Sequence, residues 1–521
     1  MEPVVIDGKS LRIEDVVTVA LKDARVEVSS EAGERVDEAA GLVERFVREA
    51  RLIYGVTTGY GALSSIPISQ DKAQTLQRNL ILSHSAGTGA RAPRKVVRAT
   101  MLLRANTLVR GNSGVRLPTV NRLVSMLNAH VHPVIPEVGS VGASGDLAQL
   151  AHVVLAMIGE GAAEYRGEVL PAREALILGG VELGELSYKE GVALINGTAF
   201  MTAIGALAVF RAERALRTAE VAAAMSFEAL RGIADAFDRE VHWARPHPGQ
   251  GDSASNLRRL IHGSELVLEG PGIEEGGIRV QDAYSLRCTP QVLGAVRDAL
   301  GYARRVVEVE MNSSVDNPLL FPDTGRCLSG GNFHGQPVAL AMDLLGLSMC
   351  SVGNIAERRV ARLLDQKLSE GLPAFLVHPE VERGLHNGLM LTQYTAAALA
   401  SECKVLAHPS SVDTIPTSAG QEDHVSMGAT AARNALRIVG NAEVIVGIEL
   451  LCAAQALDLR LMQKKELRFG EGTAAAHAAV RDKIPILKED RALYRDIRVA
   501  SDLVREGVVL KAVEDTVGPL G

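Results

Sequence analysis

The sequence predicts a mainly α-helical protein, a bundle of long helices with a smaller mixed segment at its N-terminal end. Three observations carry this. Stretches rich in Ala, Leu, Arg and Glu, with apolar residues three and four apart, cover 69–84, 94–129, 146–160, 190–231, 288–315, 335–369, 385–406 and 425–463. Several exceed the ~8–20 residues usual for a globular helix, and long aliphatic faces of this kind bury themselves by bundling, often against copies of the same chain. Strand signals are few and short: Val4-Val5-Ile6 before Asp7-Gly8, and Glu164 to Leu170 around Arg166-Gly167.

The bulk numbers agree. A chain of 521 residues with 47% hydrophobic and 22% charged residues is an ordinary globular protein with a large core. Aromatics are only 3%, so that core is aliphatic. A formal net charge of -7 excludes the basic footprint of a nucleic-acid binder. The cysteines (Cys288, Cys327, Cys350, Cys403, Cys452) are odd in number, widely spaced and without a C-x-x-C pair, which fits reduced thiols better than disulfides or structural zinc. The N-terminus lacks a signal-peptide pattern. The most apolar long stretch, 438–457, carries Asn441, Glu443 and Glu449 and so reads as a buried helix, not a membrane span. A cytoplasmic location is expected. A break near residue 200 divides an N-terminal segment (1–200) from a helical body (201–521) whose more charged C-terminal end forms a peripheral cap.

Chemistry is concentrated in the loops. In Gly139-Ser140-Val141-Gly142-Ala143-Ser144-Gly145-Asp146 the tripeptide Ala143-Ser144-Gly145 sits at a turn, and Asp146 opens an apolar helix. Small neighbours let the backbone fold on itself. The Gly145 nitrogen can then approach the Ala143 carbonyl carbon, and closure with dehydration across Ser144 makes an electrophile that no ordinary side chain offers. A helix-capping loop is the commoner meaning of such a tripeptide, and the spacing is wrong for a G-x-S-x-G hydrolase elbow. Tyr54 lies in YGVTTGYG, a glycine-rich loop where a tyrosine of lowered pKa can act as a base. In QDAYSLR, Tyr284 and Arg287 share a face if a helix starts there, and such an arginine can hold a carboxylate with paired hydrogen bonds. Ser83-His84 ends a helix, and Gln421-Glu422-Asp423-His424 places carboxylates beside a histidine. No H-E-x-x-H or second ligand cluster accompanies them, so no metal is expected.

Taken together, YGVTTGYG, Ser83-His84, GSVGASGD, Leu194-Ile195-Asn196-Gly197-Thr198, QDAYSLRC, VDNPL, GGNFHG and IPTSAGQEDHVSM resemble the aromatic amino acid ammonia-lyase family, from about residue 50 to about 460. The resemblance implies a helical, fumarase/aspartase-like architecture and a homotetramer whose active sites draw on more than one subunit. It implies the cofactor 4-methylideneimidazole-5-one, formed autocatalytically from Ala143-Ser144-Gly145, and no metal. The partner is a small amino acid, not a nucleic acid or a membrane. By the same resemblance Tyr54 is the base, Arg287 binds the substrate carboxylate, Asn196, Gln281 and Tyr284 hold cofactor and substrate, and Phe333 lines the pocket. Members acting on histidine carry counterparts of His84, Met390 and Glu422, and a carboxylate suits an imidazole N–H. Elimination of ammonia from L-histidine to trans-urocanate is therefore expected. Thr57 and Ala199 depart from the histidine-type pattern, and phenylalanine or tyrosine ammonia-lyase, or an aminomutase, are the alternatives. A fumarase-type lyase would need an M-P-x-K loop, which the sequence lacks, and a non-catalytic helical scaffold would leave the tripeptide unmodified.

Overall fold

The structure is a computed structural model, and it describes residues 2–53, 55, 57–59, 72–270, 272–274, 277–382 and 384–521. Tyr54 lies outside the described residues. Helices dominate, as expected, and the longest are Ala199–Ala229, Thr289–Met311, Gln336–Leu364 and Gly428–Gln463.

Two of the expected helices are interrupted, each where glycine takes a conformation other residues avoid. The 94–129 stretch becomes Arg94–Leu108 and Leu117–Asn128, separated by a loop in which Gly111 and Gly114 have φ of 84° and 71°. The 190–231 stretch becomes Glu190–Ile195 and Ala199–Ala229, separated by a turn at Asn196-Gly197-Thr198. Composition alone carried the helical pattern across both breaks. The strands are short, as predicted. Val4–Ile6 pairs in parallel with Val26–Val28, and Ala162–Tyr165 pairs with Glu168–Pro171 as a hairpin that extends a sheet with Val131–Pro133.

The chain divides into two compact units: 1–210, 303–343 and 409–434 form one, and 211–302, 344–408 and 435–521 the other. The break expected near residue 200 lies close to the end of the first unit's first segment, but that unit also takes in two later segments of the chain.

In the first unit the helix Ile13–Lys22 packs on Arg94–Leu108. Arg98 is buried between them and donates to the carbonyls of Val19 (2.9 Å) and Leu127 (3.1 Å). In the second unit, Gly346 and Gly353 are spaced seven residues apart and face Ile438 and Ile445, also seven apart. A Cβ on either glycine would stand 3.0 Å from the isoleucine Cδ1. The two helices therefore run parallel there, in register, with the seven-residue repeat of a coiled-coil seam.

The polar residues that argued against a membrane span at 438–457 have specific tasks. Glu443 accepts from Arg211 at 2.9 and 2.6 Å. Glu449 is fully buried, where it takes two hydrogen bonds from the equally buried Arg359 (2.5 and 2.9 Å) and one from Ser226 (2.8 Å). Among the described residues one helix, Gln336–Leu364, is long and apolar enough to cross a membrane, and more than half of its most apolar window is buried inside the protein.

A buried ion pair broken on one side leaves an uncompensated charge. R359M is expected to lower stability by about 3–5 kcal/mol in urea unfolding, and R359M/E449M to recover most of that loss.

Candidate active site

The tripeptide occupies a loop fixed on two sides, all within the first unit. On one side it is strapped to the turn at Asn196-Gly197-Thr198. Gly197 N–H donates to the Ser144 carbonyl (3.2 Å), and Asp146 N–H donates to the Gly197 carbonyl (2.8 Å). Gly145 and Gly197 thus form an isolated parallel bridge. The approach is so close that a Cβ on Gly145 would fall 2.1 Å from the Gly197 oxygen, and Gly145 also has φ of 69°. Only glycine meets both conditions. On the other side, Met427 N–H donates to Val141 (2.8 Å), the Ser426 hydroxyl to Gly142 (2.8 Å), and Gly335 N–H to Gly142 (3.1 Å). Four of the sequence motifs therefore meet at this loop: GSVGASGD, the Asn196 turn, GGNFHG and QEDHVSM.

Asp146 behaves differently from its sequence expectation. It precedes the helix Leu147–Met157, but its carboxylate makes no cap there. Instead Oδ2 accepts from the N–H groups of Phe200 (3.0 Å) and Met201 (2.9 Å), capping the helix Ala199–Ala229, while Oδ1 accepts from the Ser140 hydroxyl (2.9 Å). Its complete burial pushes its pKa up to about 7, against the opposing pull of those donors. Behind the turn lies Arg104, also fully buried, whose pKa is pushed down to about 10 by desolvation. A Cβ on Gly197 would meet its Nη1 at 2.5 Å.

The Ser144 hydroxyl donates to Glu422 Oε1 at 2.7 Å. His84 ends the helix Ala73–His84 and is half-buried, with Nδ1 3.1 Å from the Ser83 hydroxyl. Burial lowers its pKa, and the Glu422 charge acts in the opposite direction. Asn196 is buried, and its Oδ1 has no hydrogen-bond partner among the described residues. A buried acceptor left open beside the tripeptide is the kind of group that holds something added there. Phe333 is half-buried, two residues before Gly335.

The remaining candidates belong to the second unit. Gln281 and Arg287 line one cleft of about 290 Å³ together with Asp282, Cys288 and Gln291. Tyr284–Arg287 does form a short helix, and the Arg287 guanidinium lies 4.5 Å from the Tyr284 ring centroid. Its Nε donates to the Asp282 carbonyl (2.9 Å), so this arginine is held by backbone and ring contacts. Met390 opens the helix Met390–Leu406 and is not part of that cleft's lining. Among the described residues there is no cluster of metal-ligating side chains.

The family model described as aromatic amino acid lyase matches residues 11–482. The chain belongs to the aromatic amino acid lyase family. A histidine ammonia-lyase from Caldanaerobacter subterraneus subsp. tengcongensis is 52% identical, with 99% of each chain covered. The crystal structure of a histidine ammonia-lyase from Trypanosoma cruzi superposes with a TM-score of 0.90 at 41% identity, covering 99% of this chain and 95% of that one. A tyrosine aminomutase from Streptomyces globisporus superposes with a TM-score of 0.93 at 40% identity over 99% of each chain. The helical fold expected from the sequence is the fold of this lyase family.

Sequence reasoning passed over Ser140, Ser426, Arg104 and Thr417. Ser140, Ser426 and Thr417 lie within motifs already singled out, and their roles appear only once the loop is folded.

Because Asp146 holds its proton to a higher pH in the folded chain than in the unfolded one, where the ordinary value is 3.8, its contribution to stability falls as pH rises from about 4 to about 7. D146N removes that component. Its unfolding free energy in urea, relative to that of the unaltered protein, is expected to improve as pH is raised through this window, by up to roughly 1.4 kcal/mol per pH unit.

Proposed function

We propose that this chain eliminates ammonia from L-histidine to give trans-urocanate. The observation that carries the reading is the 2.7 Å hydrogen bond between the Ser144 hydroxyl and Glu422 Oε1. It supports the reading because Glu422, the carboxylate taken here to receive the imidazole N–H, lies beside the tripeptide taken here to supply the electrophile. The electrophile is 4-methylideneimidazole-5-one, built from Ala143-Ser144-Gly145. The residues present fit it: Gly145 is bare and left-handed, Asn196 Oδ1 is a buried acceptor without a partner among the described residues, and the loop is strapped on two sides. Its formation joins the Gly145 nitrogen to the Ala143 carbonyl carbon. One water leaves from that carbonyl and a second from across Cα and Cβ of Ser144. Once formed, the group supplies the electron-poor centre that makes the substrate's amine a better leaving group.

The chain's own side chains do the rest. Glu422, half-buried, accepts the imidazole N–H, and His84 supports the ring. Arg287 binds the carboxylate, with its guanidinium already restrained over Tyr284. Gln281 and Tyr284 orient substrate and cofactor, Phe333 and Met390 shape the pocket, and Tyr54 takes the β-proton. A phenyl ring offers no donor to Glu422, so a pocket for it would leave one oxygen of that carboxylate without a partner from the substrate. The working form is a cytoplasmic homotetramer whose active sites combine residues from more than one subunit.

Purified protein mixed separately with L-histidine, L-phenylalanine and L-tyrosine is expected to produce a conjugated acid from histidine, followed by ultraviolet absorbance. Turnover of either of the other two without histidine would overturn the substrate, and a β-amino acid product would identify an aminomutase. E422Q is expected to lose roughly 100-fold in kcat/KM on histidine. The peptide containing residues 143–145 is expected to weigh two waters less than its sequence, and S144A to abolish both that loss and most of the turnover.

A further inference from the structure

The two oxygens of Glu422 are held by different donors, and only one of them lasts. Oε1 accepts from the Ser144 hydroxyl (2.7 Å) and Oε2 from the Thr417 hydroxyl (2.6 Å). Ring formation at the tripeptide consumes the Ser144 hydroxyl and leaves that of Thr417 in place. We propose that Thr417 is the positioning residue for Glu422: it ties down Oε2, so that Oε1, once released by Ser144, stays aimed at the ring N–H of the substrate. The proposal rests on the histidine reading above and adds the residue that makes Glu422 directional.

The backbone supports this. Thr417 and Glu422 form an isolated antiparallel bridge, with Thr417 N–H donating to the Glu422 carbonyl (2.9 Å) and Glu422 N–H to the Thr417 carbonyl (3.3 Å). Between them, Ser418, Ala419 and Gly420 have φ of 52°, 54° and 84°. Three left-handed residues in succession, two of them not glycine, form a turn held against its own preference. Residues 418–421 are exposed, and a Cβ on Gly420 would meet nothing within 4 Å. Packing therefore does not impose the turn. Hydrogen bonds within the loop and at its end do: Gly420 N–H to Thr417 (3.1 Å), Gln421 N–H to Ser418 (3.0 Å) and Val425 N–H to the Thr414 hydroxyl (2.9 Å). On the far side of Glu422, His334 Nδ1 accepts from Gln336 N–H (3.3 Å). Its Nε2 therefore carries the proton that bridges to the His424 carbonyl (3.2 Å), and the two imidazoles stack. The short segment bearing Glu422 is thus fixed at both ends, while the carboxylate's terminal torsion is intrinsically broad. The Thr417 hydroxyl is the charge-assisted contact that narrows it.

A double-mutant cycle tests this. kcat and KM are measured for the unaltered protein, T417V, T417S, E422Q and T417V/E422Q, with intact mass of the 143–145 peptide as an independent readout of ring formation. T417V is expected to lose about tenfold in kcat/KM with the two-water mass loss intact. T417S is expected to stay within about threefold of the unaltered protein, and T417V to add no further loss in the E422Q background. An equal loss from T417V with and without Glu422 would overturn the proposal. So would T417V within twofold of the unaltered protein, or T417S as impaired as T417V. Where T417V does not fold, T417A against T417S carries the same comparison. The unaltered protein's choice among the three amino acids tests the substrate reading separately, and the cycle is run on whichever is turned over.

Discussion

Everything at the candidate site depends on how closely Gly145 approaches Gly197. Two backbone segments meet with no side chain between them, so the tripeptide is pressed against a turn that is itself the start of the 31-residue helix Ala199–Ala229. The contact fixes the loop's curvature, aligns Asp146 with the N-terminus of that helix, and leaves Asn196 buried, its Oδ1 without a partner among the described residues. So close an approach persists only where the surroundings over-determine it. Here they do so through backbone hydrogen bonds from the Asn196 turn on one side and from residues 335, 426 and 427 on the other.

Electrostatics follow the same plan. The fully buried groups near the loop include Asp146 and Arg104, one pushed towards its neutral form and the other still cationic near neutral pH. Glu422 and His84 are only half-buried, in contrast to that pair. The chain thus separates a buried charge system that holds the loop from the half-buried Glu422 and His84 beside it.

Much of this was legible in the sequence, and the reasons for the exceptions are physical. Helix content and most helix positions follow from local periodicity, which needs only neighbours three and four residues away. The breaks at 109–116 and 196–198 do not, because they are set by what the glycines there touch. The N-terminal cap is the clearest case. Asp146 has the right residue type in the right place for its own helix, yet it serves one that begins more than fifty positions later. The motifs around Ser144 and Glu422 were recognisable as chemistry, and their family as a whole. That one hydroxyl joins them, and that a second, from Thr417, holds the other oxygen, are facts about tertiary structure that no spacing along the chain encodes. The pairing of Gly346 and Gly353 with Ile438 and Ile445 was equally invisible, since each half of the repeat looks like ordinary helix composition.

The hydrogen bond from Ser144 to Glu422 spans 278 positions of the chain. During synthesis the tripeptide emerges long before the residues that grip it: Gly197 and the helix behind it come first, and Glu422 appears only when four-fifths of the polypeptide has been made. A chain cut short, or one that misplaces its later segments, carries the same three residues without the surroundings that bend them. The grip on the loop can therefore close only after residues 422–427 have been made, and its geometry records whether the fold around it is complete.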